Sequence, residues 1–175
     1  MILKKLLFII LFSCSGQFLM AQNGEQEANL KAAFIYNFTK YIDWGVYNDN
    51  YQFVIGVIGE DSPVIPALQE IAKTRTINSK RIEIRIIDDL SQIKDCRILF
   101  ITRNCPFSLS SILKRLGKGV LTISESKGYA SLGTDFNFVV VNERLKFEAN
   151  LKAISSSGLK AGSQLLKLAI IVDQE

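Results

Sequence analysis

The residues able to do chemistry in this sequence are carboxylates and a few thiols, because the chain contains no histidine. Without imidazole there is no Ser-His-Asp or Cys-His nucleophile, no His-ligated zinc and no histidine acid-base step. Chemistry with carboxylates alone survives that test, but it needs two acids held together in one pocket. The acidic pairs on offer, Glu60-Asp61 and Asp88-Asp89, are adjacent residues in predicted loops, where such pairs serve as turn and capping groups. A phosphate loop is missing too. Gly117-Lys118-Gly119 lacks the upstream glycine and the following Ser or Thr that such a loop requires. The sequence therefore predicts no catalytic residue, no metal ligand set and no cofactor.

Cys96 and Cys105 bracket the apolar run Arg97 to Thr102 (RILFIT), which reads as a buried strand. A strand of that length holds its flanks roughly 20 Å apart at ~3.3 Å per residue. A disulfide needs α-carbons within about 7 Å, so both thiols are expected to be free and structural.

The first 21 residues have the three parts of an export signal. Lys4 and Lys5 form a basic start, Leu6 to Phe12 is wholly apolar, and Ala21 is the small residue before the expected cleavage at Gln22. The apolar run is far shorter than the ~20 residues that span a bilayer. Leu11-Phe12-Ser13-Cys14 offers an alternative in which Cys14 carries lipid, although Phe12 stands where such sites place a small residue. Residues 22–175 are then a single domain beyond the inner membrane, long enough to bury a core. Loss of Lys4 and Lys5 takes the net charge from +4 to about +2. With no cluster of Lys or Arg, nucleic acid is excluded as a partner class.

The elements that must position these residues follow from periodicity. Between Glu27 and Ile42, Leu30, Ala33, Phe34, Phe38, Tyr41 and Ile42 recur at three- and four-residue spacing, predicting a helix with that face in the core. Tyr51 to Ile58 reads as a strand, followed by a turn at Gly59-Glu60-Asp61 and a helix capped by Ser62 with Pro63 first. Arg81, Glu83 and Arg85 alternate with Ile82, Ile84 and Ile86, the period of a strand with one wet face, expected at an edge. A strand at Arg97 to Thr102, a helix from Ser108 to Leu116 and a strand from Val120 to Ser124 continue the alternation. Asn137 to Val141 and Arg144 to Glu148 then flank Asn142-Glu143 as a hairpin, with Asn150 capping the next turn and a last helix over residues 163–171. The fold class predicted is α/β: a three-layer sandwich with a mixed, mostly parallel central sheet flanked by helices, a C-terminal β-hairpin and a closing helix.

Several blocks, in this order, carry a resemblance. They are Lys31 to Trp44 (KAAFIYNFTKYIDW), Phe53 to Gly59 (FVIGVIG), Cys96 to Ile101 (CRILFI), Gly128-Tyr129-Ala130, Phe136-Asn137-Phe138, Phe147 to Asn150 (FEAN), Gly158-Leu159-Lys160 and Leu165 to Ala169. Together they resemble the YfiR-like periplasmic regulators over nearly the whole chain beyond residue 27. Departures are Leu132-Gly133, where members often have a Gly-Gly pair, and Ala161-Gly162-Ser163, where they have a Ser-rich segment. Disulfide cysteines of the better-known members have no counterpart. The resemblance implies a regulator without catalysis. It would dock on the periplasmic sensor domain of a membrane signalling protein, a diguanylate cyclase or a histidine kinase, and repress its output. An outer-membrane lipoprotein could sequester it, and a second copy of the chain is a further candidate partner.

Docking residues are expected among aromatics and bases off the apolar faces: Tyr36, Trp44, Arg81 and Arg85. The alternative function is a periplasmic small-molecule-binding receptor domain. Its ligand would lie in the crevice at the carboxyl ends of the strands, lined by Glu60, Asp61, Arg103 and Asn104.

Overall fold

The computed structural model describes residues 24–45, 52–59 and 61–173. The expected signal segment, Cys14 and Glu60 lie outside them.

Helix α1 covers residues 24–38 and breaks into a turn before a short strand, β1 (Ile42–Asp43). Then follow β2 (Gln52–Ile58), α2 (Val64–Thr74), β3 (Thr76–Ile77) and β4 (Lys80–Ile86). A 3-10 helix (Leu90–Asp95) leads to β5 (Ile98–Ile101), α3 (Leu109–Leu113) and β6 (Leu121–Ser124). The chain ends with β7 (Phe136–Val141), β8 (Arg144–Asn150), α4 (Leu151–Ser156), β9 (Lys160–Ala161), α5 (Ser163–Leu166) and β10 (Ile170–Val172).

Eight strands form one sheet in the order β10-β8-β7-β6-β5-β2-β4-β3. The pairs β2·β4, β2·β5, β5·β6, β6·β7 and β8·β10 are parallel, whereas β7·β8 and β3·β4 are antiparallel. This is the mixed, mostly parallel sheet expected. Strands β1 and β9 pair separately as a two-stranded ribbon. Gly162 extends that ribbon by donating its N–H to the Tyr41 carbonyl at 2.7 Å, and a side chain there would press on the same oxygen at 3.3 Å.

Side chains of the central strands alternate between two cores, so both faces of β2 and β5 are dry, as parallel strands require. On one face α1 and α2 cover Ile55, Val57, Ile98 and Phe100; on the other the 3-10 helix and α3 cover Val54, Ile58, Leu99 and Ile101. The α1 side is dominated by aromatics. Phe38 lies 4.9 Å from both Phe136 and Phe147, ring centre to ring centre. Each fully buried ring contributes about 2–3 kcal/mol from surface removed from water.

The structure corrects three local expectations. The buried face of α1 is Ala28, Lys31, Ala32, Ile35 and Phe38, continuing to Thr39 and Ile42, while Leu30 and Tyr41 are exposed at 46 % and 41 %. The helix is rotated because small Ala28 and Ala32 let its backbone approach the sheet closely. Phe34 stays half-buried at its flank. Strand β4 is not outermost, since β3 folds back on Lys80 and Arg81; Ile82–Ile86 nevertheless has no strand on its outer side among the described residues. The closing helix is one turn only. Residues 170–172 form β10 instead, where Ile170, Ile171 and Val172 suit an extended chain better than a helix.

Candidate functional site

Counted along the chain, the parallel strands β4-β2-β5-β6-β7 have the order 2-1-3-4-5, a doubly wound arrangement whose switch point lies between β2 and β5. Connections leave these two strands toward opposite faces, so a crevice opens beyond their carboxyl ends. Gly59 follows β2 and Thr102 follows β5 at its floor. Gly59 adopts φ +114°, and a β-carbon there would lie 1.8 Å from the Thr102 Oγ1. Only glycine fits. Thr102 is buried, and its hydroxyl has no hydrogen-bond partner among the described residues.

Two hollows flank this floor and share Asn104. One, about 270 Å³, is walled by Glu27, Lys31, Ser62, Arg103 and Glu125; the other, about 410 Å³, by Asp61, Ile87, Asp88 and Pro106. Of the predicted crevice residues, Asp61, Arg103 and Asn104 are brought together here, each exposed. Asp61 is held in the left-handed region at φ 57°.

Lys31 organises the first hollow. Its Nζ donates to Glu125 Oε2 at 2.5 Å and pairs with Glu27 at 2.6 Å, although its side chain is only 7 % exposed. The other Glu125 oxygen accepts the Arg103 backbone N–H at 3.0 Å. A buried ammonium is tolerable because it is paired and hydrogen-bonded on two sides. The arrangement ties α1 to the ends of β5 and β6. Its two carboxylates are both engaged by Lys31, so neither stands free as a base or nucleophile. The sequence did not single out this residue; only with the helix face set by Ala28, Ala32 and Ile35 does Lys31 fall inside the buried side.

The four predicted docking residues do not form one patch. The Tyr36 hydroxyl donates to the Thr76 carbonyl at 3.4 Å, and Lys40 stands over its ring. Trp44 packs edge-on against Phe53 at 5.4 Å. Thr76 and Gln52 both neighbour Arg81 in the sheet, so Tyr36, Trp44 and Arg81 gather near the amino ends of β2 and β4. Arg85 lies further along β4, bonded to Glu83 at 2.6 Å; that hydrogen bond, before any other cause, raises its pKa.

A second polar cluster had no signal in the sequence. Asp135 is fully buried before β7, its Oδ2 accepting from the Thr122 N–H and Oγ1, each at 2.7 Å, and its Oδ1 from the Ser157 hydroxyl at 3.0 Å. Burial pushes this carboxyl up to about 6, against the pull of those donors. Nearby, Ser124 donates to Asn137 Oδ1 at 2.7 Å, and Asn137 donates to Glu148 at 2.9 Å. Asn150 caps α4 through the Ala153 N–H at 2.9 Å, as its position had predicted, and donates to the Ala130 carbonyl. This seam joins the parallel strands to the hairpin.

Cys96 is buried and Cys105 half-buried, both as free thiols. Burial pushes Cys96 up to about 11, which leaves it unreactive. Among the described residues no cluster of acids and cysteines could hold a metal, and no helix is long and apolar enough to cross a membrane.

No curated protein matches the chain. Residues 28–170, from the buried face of α1 to the start of β10, do match a family, so both cores and strands β1 to β9 lie within the matched stretch. The chain belongs to the YfiR/HmsC-like family, whose members are periplasmic regulators of diguanylate cyclase signalling rather than enzymes.

Proposed function

We propose that this protein is exported by cleavage after Ala21 and acts by docking on the periplasmic sensor domain of a membrane-bound diguanylate cyclase, holding its output low. The observation that carries this reading is the family match over residues 28–170. Regulation of this kind needs only a surface that binds the low-output state of its partner more tightly than the high-output state. It needs no nucleophile, which suits a chain without histidine. Tyr36, Trp44 and Arg81 supply a contact surface near the amino ends of β2 and β4, and Arg85 a second contact further along β4. An outer-membrane lipoprotein is the natural antagonist, because it could sequester the repressor.

Deletion of the gene, with cyclic di-GMP measured in the cells, tests the reading. A rise that is reversed by the wild-type gene, but not by one lacking residues 2–21, supports it. An unchanged level, with no association between the purified protein and the full-length cyclase, sinks it.

One observation favours a second reading, a small-molecule receptor at the crevice: the buried Thr102 hydroxyl is unpartnered beside hollows lined by Arg103, Asn104 and Asp61. A saturable rise in melting temperature with a small polar solute, lost in Asn104→Ala, would support that site.

A further inference from the structure

Parallel strands with helices running back between them give the domain two ends, and its charges are divided between them. At the carboxyl ends of β2, β4, β5 and β6 lie Glu27, Asp61, Asp88, Asp89 and Glu125. The bases there are Lys31, already held by two of those carboxylates, with Arg103 and Lys127. The hairpin beyond is balanced, Glu143 and Glu148 against Arg144 and Lys146. At the amino ends the sign reverses. Lys40 follows α1, Arg75 follows α2 and Arg81 lies opposite Gln52, the first residue of β2. Lys114 follows α3, Lys118 precedes β6, and Lys160 stands opposite Asp43 in the ribbon that continues α1. All six are exposed, and the sequence scatters them. The acids at this end are Asp43, Asp95 and Asp173.

Helix dipoles account for Lys40, Arg75 and Lys114, each placed just past the carboxyl end of a helix. They do not account for Arg81 or Lys160, which sit in strands, nor for the scarcity of acids across the whole end. Tyr41, 41 % exposed beside Lys40, adds a side chain with an apolar body and a polar tip, the type that settles at the level of lipid headgroups. Gathered bases are drawn to an anionic bilayer within about a Debye length while the acidic end is repelled, so the division of charge orients the molecule as well as holding it. We propose that the amino-end pole is a membrane-docking surface that rests on the anionic phospholipid headgroups of a bilayer. In that orientation Tyr36, Trp44 and Arg81 lie next to the membrane in which a regulated partner is anchored, and the strand-end crevice opens away from it. The attraction is to lipid and holds whichever membrane protein the domain regulates.

Co-sedimentation of the exported form with lipid vesicles tests this, with far-UV circular dichroism checking that each variant stays folded. The wild type is expected to bind vesicles of phosphatidylglycerol, to release them as salt rises, and to ignore vesicles of phosphatidylcholine. Arg75→Glu and Lys118→Glu, both at exposed positions, should each weaken binding roughly tenfold. Lys127→Glu makes the same change in net charge at the opposite end and should leave binding at the wild-type level. The proposal is overturned by equal binding to the two lipids, by no binding at low salt, or by a Lys127→Glu variant as impaired as Lys118→Glu. Capture only by vesicles that carry the cyclase would overturn it too, and would assign the basic end to an acidic protein surface.

Discussion

Asp135 shows how a single residue can make stability depend on pH. In the folded protein burial raises its carboxyl from 3.8 to about 6, so between those values the native state holds a proton that the unfolded chain has released. Stability contributed here is complete below about pH 4 and is lost as pH rises through about 6, on the order of 3 kcal/mol in total. Protonation needs no rearrangement of the backbone. Oδ2 keeps both Thr122 donors, and a proton on Oδ1 can turn to the Ser157 oxygen. Asp135→Asn imitates that state. Its melting temperature should stay level between pH 4 and 7 while that of the wild type falls, as thermal scans across the range would show; parallel curves would mean that the carboxyl is ionised throughout. Nothing in the sequence marked this residue, because Thr134-Asp135 reads as an ordinary turn. Asp135 becomes interior only when β6 and β7 pair and α4 closes over them. The same limit applied to Lys31, whose partner Glu125 is 94 residues away.

Elements were legible where local chemistry decides them. The β7–β8 hairpin follows from two apolar runs around Asn142-Glu143, and both loop residues adopt positive φ, 50° and 59°, the geometry that a tight two-residue loop demands. Asparagine tolerates this conformation, whereas glutamate is strained in it by roughly 1 kcal/mol. Glu143→Gly should therefore stabilise the protein by about that amount in urea titration, with an unchanged slope. A destabilised variant would show that the Glu143 side chain makes a contact worth more than its strain. The end of the chain was harder to read. Leu165 to Ile171 has helical spacing, but the open edge of β8 draws its last residues into a parallel pair. A partner strand so distant in the sequence leaves no local trace. In α1 the type of element was plain and its rotation was not, since apolar Leu30 and Tyr41 stay exposed while Lys31 and Thr39 are buried on the face set by Ala28, Ala32 and Ile35.

At the scale of the molecule the two cores share the strands β2 and β5, one on each face, so neither can melt while the other persists. Trp44, the single tryptophan, reports on the α1 side through its packing on Phe53, and far-UV circular dichroism reports on the whole. Urea unfolding followed by the two signals should give coincident curves. Separate midpoints would mean that the α1 layer detaches by itself. The order of the strands has a consequence for how such a molecule comes into being. Strand β2 is the first of the large sheet to be synthesised and lies inside it; β3 and β4 add on one side of it, and β5, β6, β7, β8 and β10 add on the other, each outside the last. No strand must be forced between two that have already joined. A chain that emerges from a narrow channel with its amino end leading could thus assemble its sheet as it arrives, by accretion alone.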